Sequence, residues 1–304
     1  MAAKACILCG VAPPPPLTGE HIWSNWYNRQ QPGFRYELES VIDGEVSLRP
    51  TQYMNLKPKV LCHPCNHDWG GKLEDRVGPI LTPMMRGEAR QLSTCDMQLM
   101  SAWFFLKAMA SEYLVPAKSR PRRFFELERG RYLKATLRPP DGVRVWIGQY
   151  VGSRANAGWI TDRSSTRQVS DSPAAAVFWH CVTYSIGQVL LHLFASSRPI
   201  SLAPLGDLKE PATIKYSIPW AAGNWATGLS RIWTPPSGPV SWPPEKAFDD
   251  EGLRISRGSV ADGEASRRGA ATRRSGLVRQ RHVGGGASSA PLSPERQPRG
   301  LCRD

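Results

Sequence analysis

Cys6-Ile-Leu-Cys9 and Cys62-His-Pro-Cys65 are two CxxC pairs in a chain of 304 residues. A two-residue gap lets one tight turn aim both sulfurs at a single ion, and four thiolates complete the tetrahedral coordination that zinc prefers. Such a site leaves no open position for water or substrate, so a zinc on Cys6, Cys9, Cys62 and Cys65 would hold the fold and do no chemistry. A single pair would suit a redox motif equally well. Two pairs favour a structural Zn2+ over a redox pair or free thiols.

The chemistry then has to come from other residues of the same segment. Glu20-His21 follows the first pair, and Asn66 directly follows the last cysteine, where a helix is expected to start. A nuclease needs a base to activate water and a divalent ion to stabilise charge developing on phosphate. The imidazole of His21 suits the first task, because its ordinary pKa lies near neutrality. The carboxylate of Glu20 and the amide oxygen of Asn66 suit a hard ion such as Mg2+ or Mn2+. Two plainer readings stand beside this one: Glu20-His21 as a turn pair, and Asn66 as a helix cap.

The order CxxC, acid–His, CxxC–Asn resembles the cysteine-containing zinc branch of the HNH, or ββα-metal, endonucleases, whose finger is a treble clef. The wording EHIW and CHPCNHDWGGKLE is similar to that of uncharacterised phage and bacterial HNH-type proteins. Weaker similarity runs on through SAWFFLKAMASEY and VWIGQYVG. The resemblance implies a DNA endonuclease with His21 as general base and a catalytic divalent ion on Glu20 and Asn66. Three features depart from the family pattern. Glu20 stands where Asp is commoner, 45 residues separate His21 from Asn66, and Gly70 occupies the place of a second metal-binding His. Two rival functions follow from those gaps: a zinc-dependent module that grips nucleic acid without cutting, and a phage structural or assembly protein.

Bulk properties agree with a polyanionic partner without requiring one. Thirty-nine Lys and Arg against 26 Asp and Glu give a net charge of +13 and a pI near 9.7, which suits DNA or simply favours solubility. From Glu251 to Asp304 there are eleven Arg and five acids, an excess of six positive charges. No apolar run approaches the ~18 residues needed to span a bilayer, and MAAKACILCGVAPPPP is not a signal peptide. The expectation is a bacterial or phage-infected host cytosol with no membrane partner, where cysteines serve as metal ligands or buried thiols before disulfides. The oligomeric state is left open, a homodimer included.

The elements that must position these residues read as an α+β chain. A zinc-stapled nuclease finger is expected over 1–90, an accessory domain of helices and antiparallel sheet over 91–246, and a basic disordered tail over 247–304. The Asp43–Gly44 turn predicts a hairpin within 34–48. A helix is expected from Cys62, bent near Gly70–Gly71, then an amphipathic one over Ser93–Tyr113 and a shorter one over Arg122–Lys134. Val143–Val151 predicts a strand, and Val177–Phe194 one long strand, two paired strands or a buried helix. Ile214–Ile218 is a further candidate strand. His180, Cys181 and His192 lie in apolar text and read as core, whereas His63 and His67 read as exposed or phosphate-contacting. Glu74 is expected to orient Lys72 or a backbone group, and Asn55 is a candidate support for the His21 loop.

Overall fold

The first cysteine pair sits in a turn that must reverse sharply, and the computed structural model shows how it does so. The structure describes residues 5–29 except 13 and 15, 36–51 except 43–44, 56–114, 123–152, 157–166, 177–197, 229–233, 238–249 and 274–282. The Gly10 N–H donates to Cys6 O at 2.8 Å and the Cys6 N–H to Val11 O at 2.9 Å. Gly10 lies at φ +80°, where a side chain would be strained. Strand β1 (Thr18–Gly19) leads through Glu20-His21 to helix α1 (Asn25–Arg29). The predicted hairpin is present as β2 (Tyr36–Ile42) and β3 (Glu45–Thr51), and β4 (Lys59–Leu61) then pairs antiparallel with β1.

Cys65 and Asn66 lie in a π-helical turn, Pro64–Gly70, which runs directly into α2 (Gly71–Met85). The expected bend at Gly70–Gly71 is a change of hydrogen-bond pattern: the Gly71 N–H reaches Asn66 O, one residue beyond α-helical spacing. After β5 (Arg90–Leu92), Ser93 and Asp96 form a capping box that starts α3 (Thr94–Ser111). The sequence predicts an amphipathic helix here, but fourteen of its eighteen residues are buried. It is enclosed because α2, the sheet and α4 (Leu127–Thr136) all pack on it. Buried Glu112 accepts the Phe124 and Phe125 N–H groups, which draws the approach to α4 onto the end of α3.

Strands β6 (Val143–Tyr150), β7 (Ala157–Thr166), β8 (Val177–Ile186) and β9 (Val189–Ser196) follow. The apolar run 177–194 is therefore two paired strands, turning at Gly187 with φ +53°. A Cβ on Gly187 would meet Met85 O at 2.6 Å, so glycine is needed for the hairpin to abut the end of α2. Three short strands follow, β10 (Ser230–Trp233), β11 (Val240–Trp242) and β12 (Ala247–Phe248). Ile214–Ile218 lies outside the described residues.

One expectation is overturned in part. The stretch from 247 to 304, read as a disordered tail, holds β12 and a longer strand, β13 (Arg274–His282), paired antiparallel with both β7 and β2. Low apolar periodicity hid it, because a strand with partners on both edges is held by its ladder bonds as much as by a hydrophobic face. The large sheet runs β10-β6-β9-β8-β7-β13-β2-β3, with β12 parallel to β6. One continuous core reaches from Cys6 to Trp242 across the boundary that composition suggests at residue 90. Each large apolar side chain buried there contributes about 1.5–3 kcal/mol. No described helix is long and apolar enough to cross a membrane.

Candidate functional site

The four predicted zinc ligands come together. The sulfurs of Cys6, Cys9, Cys62 and Cys65 all lie within 4.8 Å of one another, and Cys9 and Cys62 Sγ are 3.6 Å apart. Tetrahedral zinc with bonds of ~2.3 Å separates its sulfurs by about 3.8 Å, so the cluster fits that ion. The electrostatics call for a cation too. Burial tends to raise the Cys9 thiol, but the Val11 backbone and neighbouring thiols bring it down to about 7. Burial and the charge on Cys6 push Cys65 upward. Four thiols cannot all ionise side by side in the core, and a divalent metal removes that conflict.

Helix α4 closes over this corner. A Cβ on Gly130 would fall 1.8 Å from Ile7 O, so the helix rests directly on the first cysteine turn. The Trp69 indole N–H donates to Lys134 O at 3.1 Å, and a hydrogen bond to Cys65 holds the Lys134 ammonium above its ordinary range. Nothing in the residue types of α4 marks it as a neighbour of the cysteines.

Glu20, His21 and Asn66 are also brought together, though not in the arrangement that an open divalent-ion site requires. Asn66 Nδ2 donates to Thr18 Oγ1 at 2.8 Å and to Gly19 O at 3.0 Å, and Thr18 Oγ1 donates to Leu61 O at 3.0 Å. Asn66 thus ties β1 to the π-helical turn and does not spend its side chain as a helix cap. Glu20 is 4% exposed, and its carboxylate is ion-paired with Lys107, itself 1% exposed. Lys107 Nζ also donates to Glu74 Oε1 and to His21 O, each at 2.6 Å. Ser24 Oγ donates to the same Glu74 oxygen at 2.5 Å. Glu74 therefore serves Lys107 and Ser24, where the sequence pointed to Lys72 or a backbone group.

Two carboxylates thus share one buried ammonium. Burial pulls Lys107 toward neutrality, but Glu20 and Glu74 outweigh it and hold the ammonium above the ordinary lysine range. Burial raises Glu20, against the pull of Lys107, whereas in the less enclosed Glu74 Lys107 and Ser24 prevail and lower it. A hard ion on Glu20 and Asn66 would have to draw the carboxylate away from this cation, so the pair fits Mg2+ or Mn2+ poorly as arranged.

His21 is better placed. Burial, then the charges of Lys57 and Lys107, lower it to about 4 against the pull of Glu74, so the imidazole is neutral near pH 7. Its Nε2 is buried and has no hydrogen-bond partner among the described residues. The backbone beneath it is fixed on both sides: Lys107 holds His21 O and the Tyr184 hydroxyl donates to Ile22 O at 3.2 Å. Tyr184 packs against Trp23, Trp103 and Phe104, which links the histidine segment to β8 and α3.

The remaining candidates lie apart from this cluster. His180 and His192 are buried, the first stacked on Phe124 and the second bonded to Thr183 Oγ1 at 3.0 Å. His63 and His67 are exposed, with ring centroids 4.2 Å apart. Arg123 lies over the Tyr113 ring and donates to Glu112 O, which makes it part of the fold. Asn55 and Cys302 fall outside the described residues. Lys107 was missed in the sequence, yet it left a signal: it is the only charged residue between Asp96 and Glu112. A lysine within a helix so apolar has to find buried anions.

No family model matches the chain, and no curated protein or solved structure matches it.

Proposed function

We propose that the chain is a phosphodiester hydrolase of the HNH type, acting on DNA, with a treble-clef-like finger at its N-terminus. The observation that carries this reading is the presentation of His21: a neutral, half-buried imidazole on backbone clamped next to a closed cysteine corner. In this reading His21 accepts a proton from water as the water oxygen attacks phosphorus and the P–O3′ bond breaks. Asn66 and Lys107 act as positioning residues for the His21 backbone. Support also comes from the order CxxC, Glu-His, CxxC-Asn and from the net charge of +13. Mg2+ or Mn2+ dependence is what the resemblance to the HNH endonucleases implies.

One observation favours a second reading. Glu20 is already neutralised by Lys107, so the finger is complete without a catalytic ion and could grip nucleic acid without cutting it. Nicking of supercoiled plasmid by the full zinc-loaded chain, with and without Mg2+ or Mn2+, separates the two. Ion-dependent nicking supports hydrolysis. Salt-sensitive DNA binding without nicking supports the gripping module, and neither activity would leave the finger as a folding staple alone.

A further inference from the structure

The ladder between β1 and β4 pairs Thr18 with Leu61 and Gly19 with Lys59, around an irregularity at Thr18/Gly19. Backbone bonds carry the same register onward: the Glu20 N–H donates to Pro58 O and the Ile22 N–H to Leu56 O, both at 3.0 Å. His21 therefore faces Lys57 as the intervening pair, which in an antiparallel ladder is the more closely spaced kind. Successive side chains alternate between faces. Glu20 and Ile22 point into the core, so His21 and Lys57 share the outer face, and Lys57 is exposed. Side chains of such a pair leave the backbone about 4.5–5.5 Å apart at Cβ. Gly19 leaves room for this, since a Cβ there would stand 3.0 Å from Lys57 Cβ.

Lys57 makes no ion pair among the described residues. Glu20, next to His21, and Glu74 are both held by Lys107. An exposed, uncompensated ammonium directly across the strand from the half-buried His21 ring is suited to holding an anion at that outer face. We infer that Lys57 holds the phosphate of a nucleic-acid backbone against His21. This rests on the proposed hydrolase reading and adds its substrate contact. Lys57 neutralises a non-bridging oxygen and keeps its proton, while the water proton goes to the His21 imidazole and the departing O3′ is protonated by solvent. Because the contact is to phosphate, it carries no base preference.

The test compares the full chain with Lys57→Met, Lys57→Arg and, as a neighbour on the same strand face, Lys59→Met. Readouts are plasmid nicking and the salt dependence of binding to a short labelled duplex. Lys57→Met is expected to lower the steepness of the log–log salt plot by about one and to weaken binding at every duplex sequence alike. It should also cut kcat/KM for nicking at least tenfold, with partial recovery in Lys57→Arg and a smaller effect in Lys59→Met. An unchanged salt slope with Lys57→Met overturns the inference, as does an equal loss in Lys59→Met. If the wild type binds but never nicks, the hydrolase reading fails while the slope still decides Lys57. If it neither binds nor nicks, both fall.

Discussion

The two corners at opposite ends of the β1–β4 pair solve the problem of buried charge in opposite ways. In the cysteine corner four acidic thiols converge, and the described cations that approach are the partly exposed Lys134 and Arg131, which donates to Cys9 O. In the Glu20 corner two carboxylates converge on Lys107, which is fully enclosed. The first arrangement needs a cation from outside and the second carries its own. That difference explains why zinc fits the cysteines while a divalent ion fits Glu20 poorly, although both assignments arise from the same sequence pattern.

Removing a zinc ligand should break the first corner outright. Cys62→Ser is expected to abolish metal binding, measured as a fall from about one zinc per chain by elemental analysis. Zinc binding of this kind contributes on the order of 10 kcal/mol in isolated fingers. Because the cysteines share one core with α3 and the sheet, the whole cooperative melt should weaken with it. Retention of zinc and of the melt would mean that the two corners do not differ as described.

Lys107→Met tests the second corner. It leaves Glu20 buried without its cation, a loss of about 3–5 kcal/mol read from the denaturant midpoint, with zinc content unchanged. Adding Glu20→Gln should recover part of that loss. Asn66→Ala is expected to cost less, about 1–2 kcal/mol, since it unpairs Gly19 O and Thr18 Oγ1 without stranding a charge.

The smallest effect expected is with pH. The imidazole of His21 titrates at about 4 in the fold, below the ordinary histidine value of 6.5. Between those values the unfolded chain binds the extra proton. The stability gained by keeping His21 neutral is therefore complete above about pH 6.5 and is lost as pH falls toward 4. The thermal midpoint of wild type should drop more steeply over that range than that of His21→Gln. His192, also near 4, contributes in the same direction to both proteins.

What could be read from the sequence follows the range of the interactions. CxxC spacing is a two-residue property, and the hairpin around Asp43–Gly44 is equally local, so both were legible. Lys107 lies 87 residues from Glu20, and only its isolation within SAWFFLKAMAS hinted at a buried partner. The seat of α4 on the cysteine turn depends on Gly130 lacking a side chain, a condition visible only once Ile7 O is placed against it. Strand β13 was hidden for a related reason: its partners are β2, over 230 residues away, and β7. The pairing of His21 with Lys57 could have been drawn from the β1–β4 register, but the sequence offered no turn signal to set it.

The measurement that tests the account most directly is plasmid nicking by His21→Ala, made on protein shown to hold one zinc and to melt like wild type. The account predicts that nicking falls by about a hundredfold or more, as expected when a general base is removed, while zinc and stability stay. Nicking at the wild-type rate by that zinc-loaded variant would contradict it.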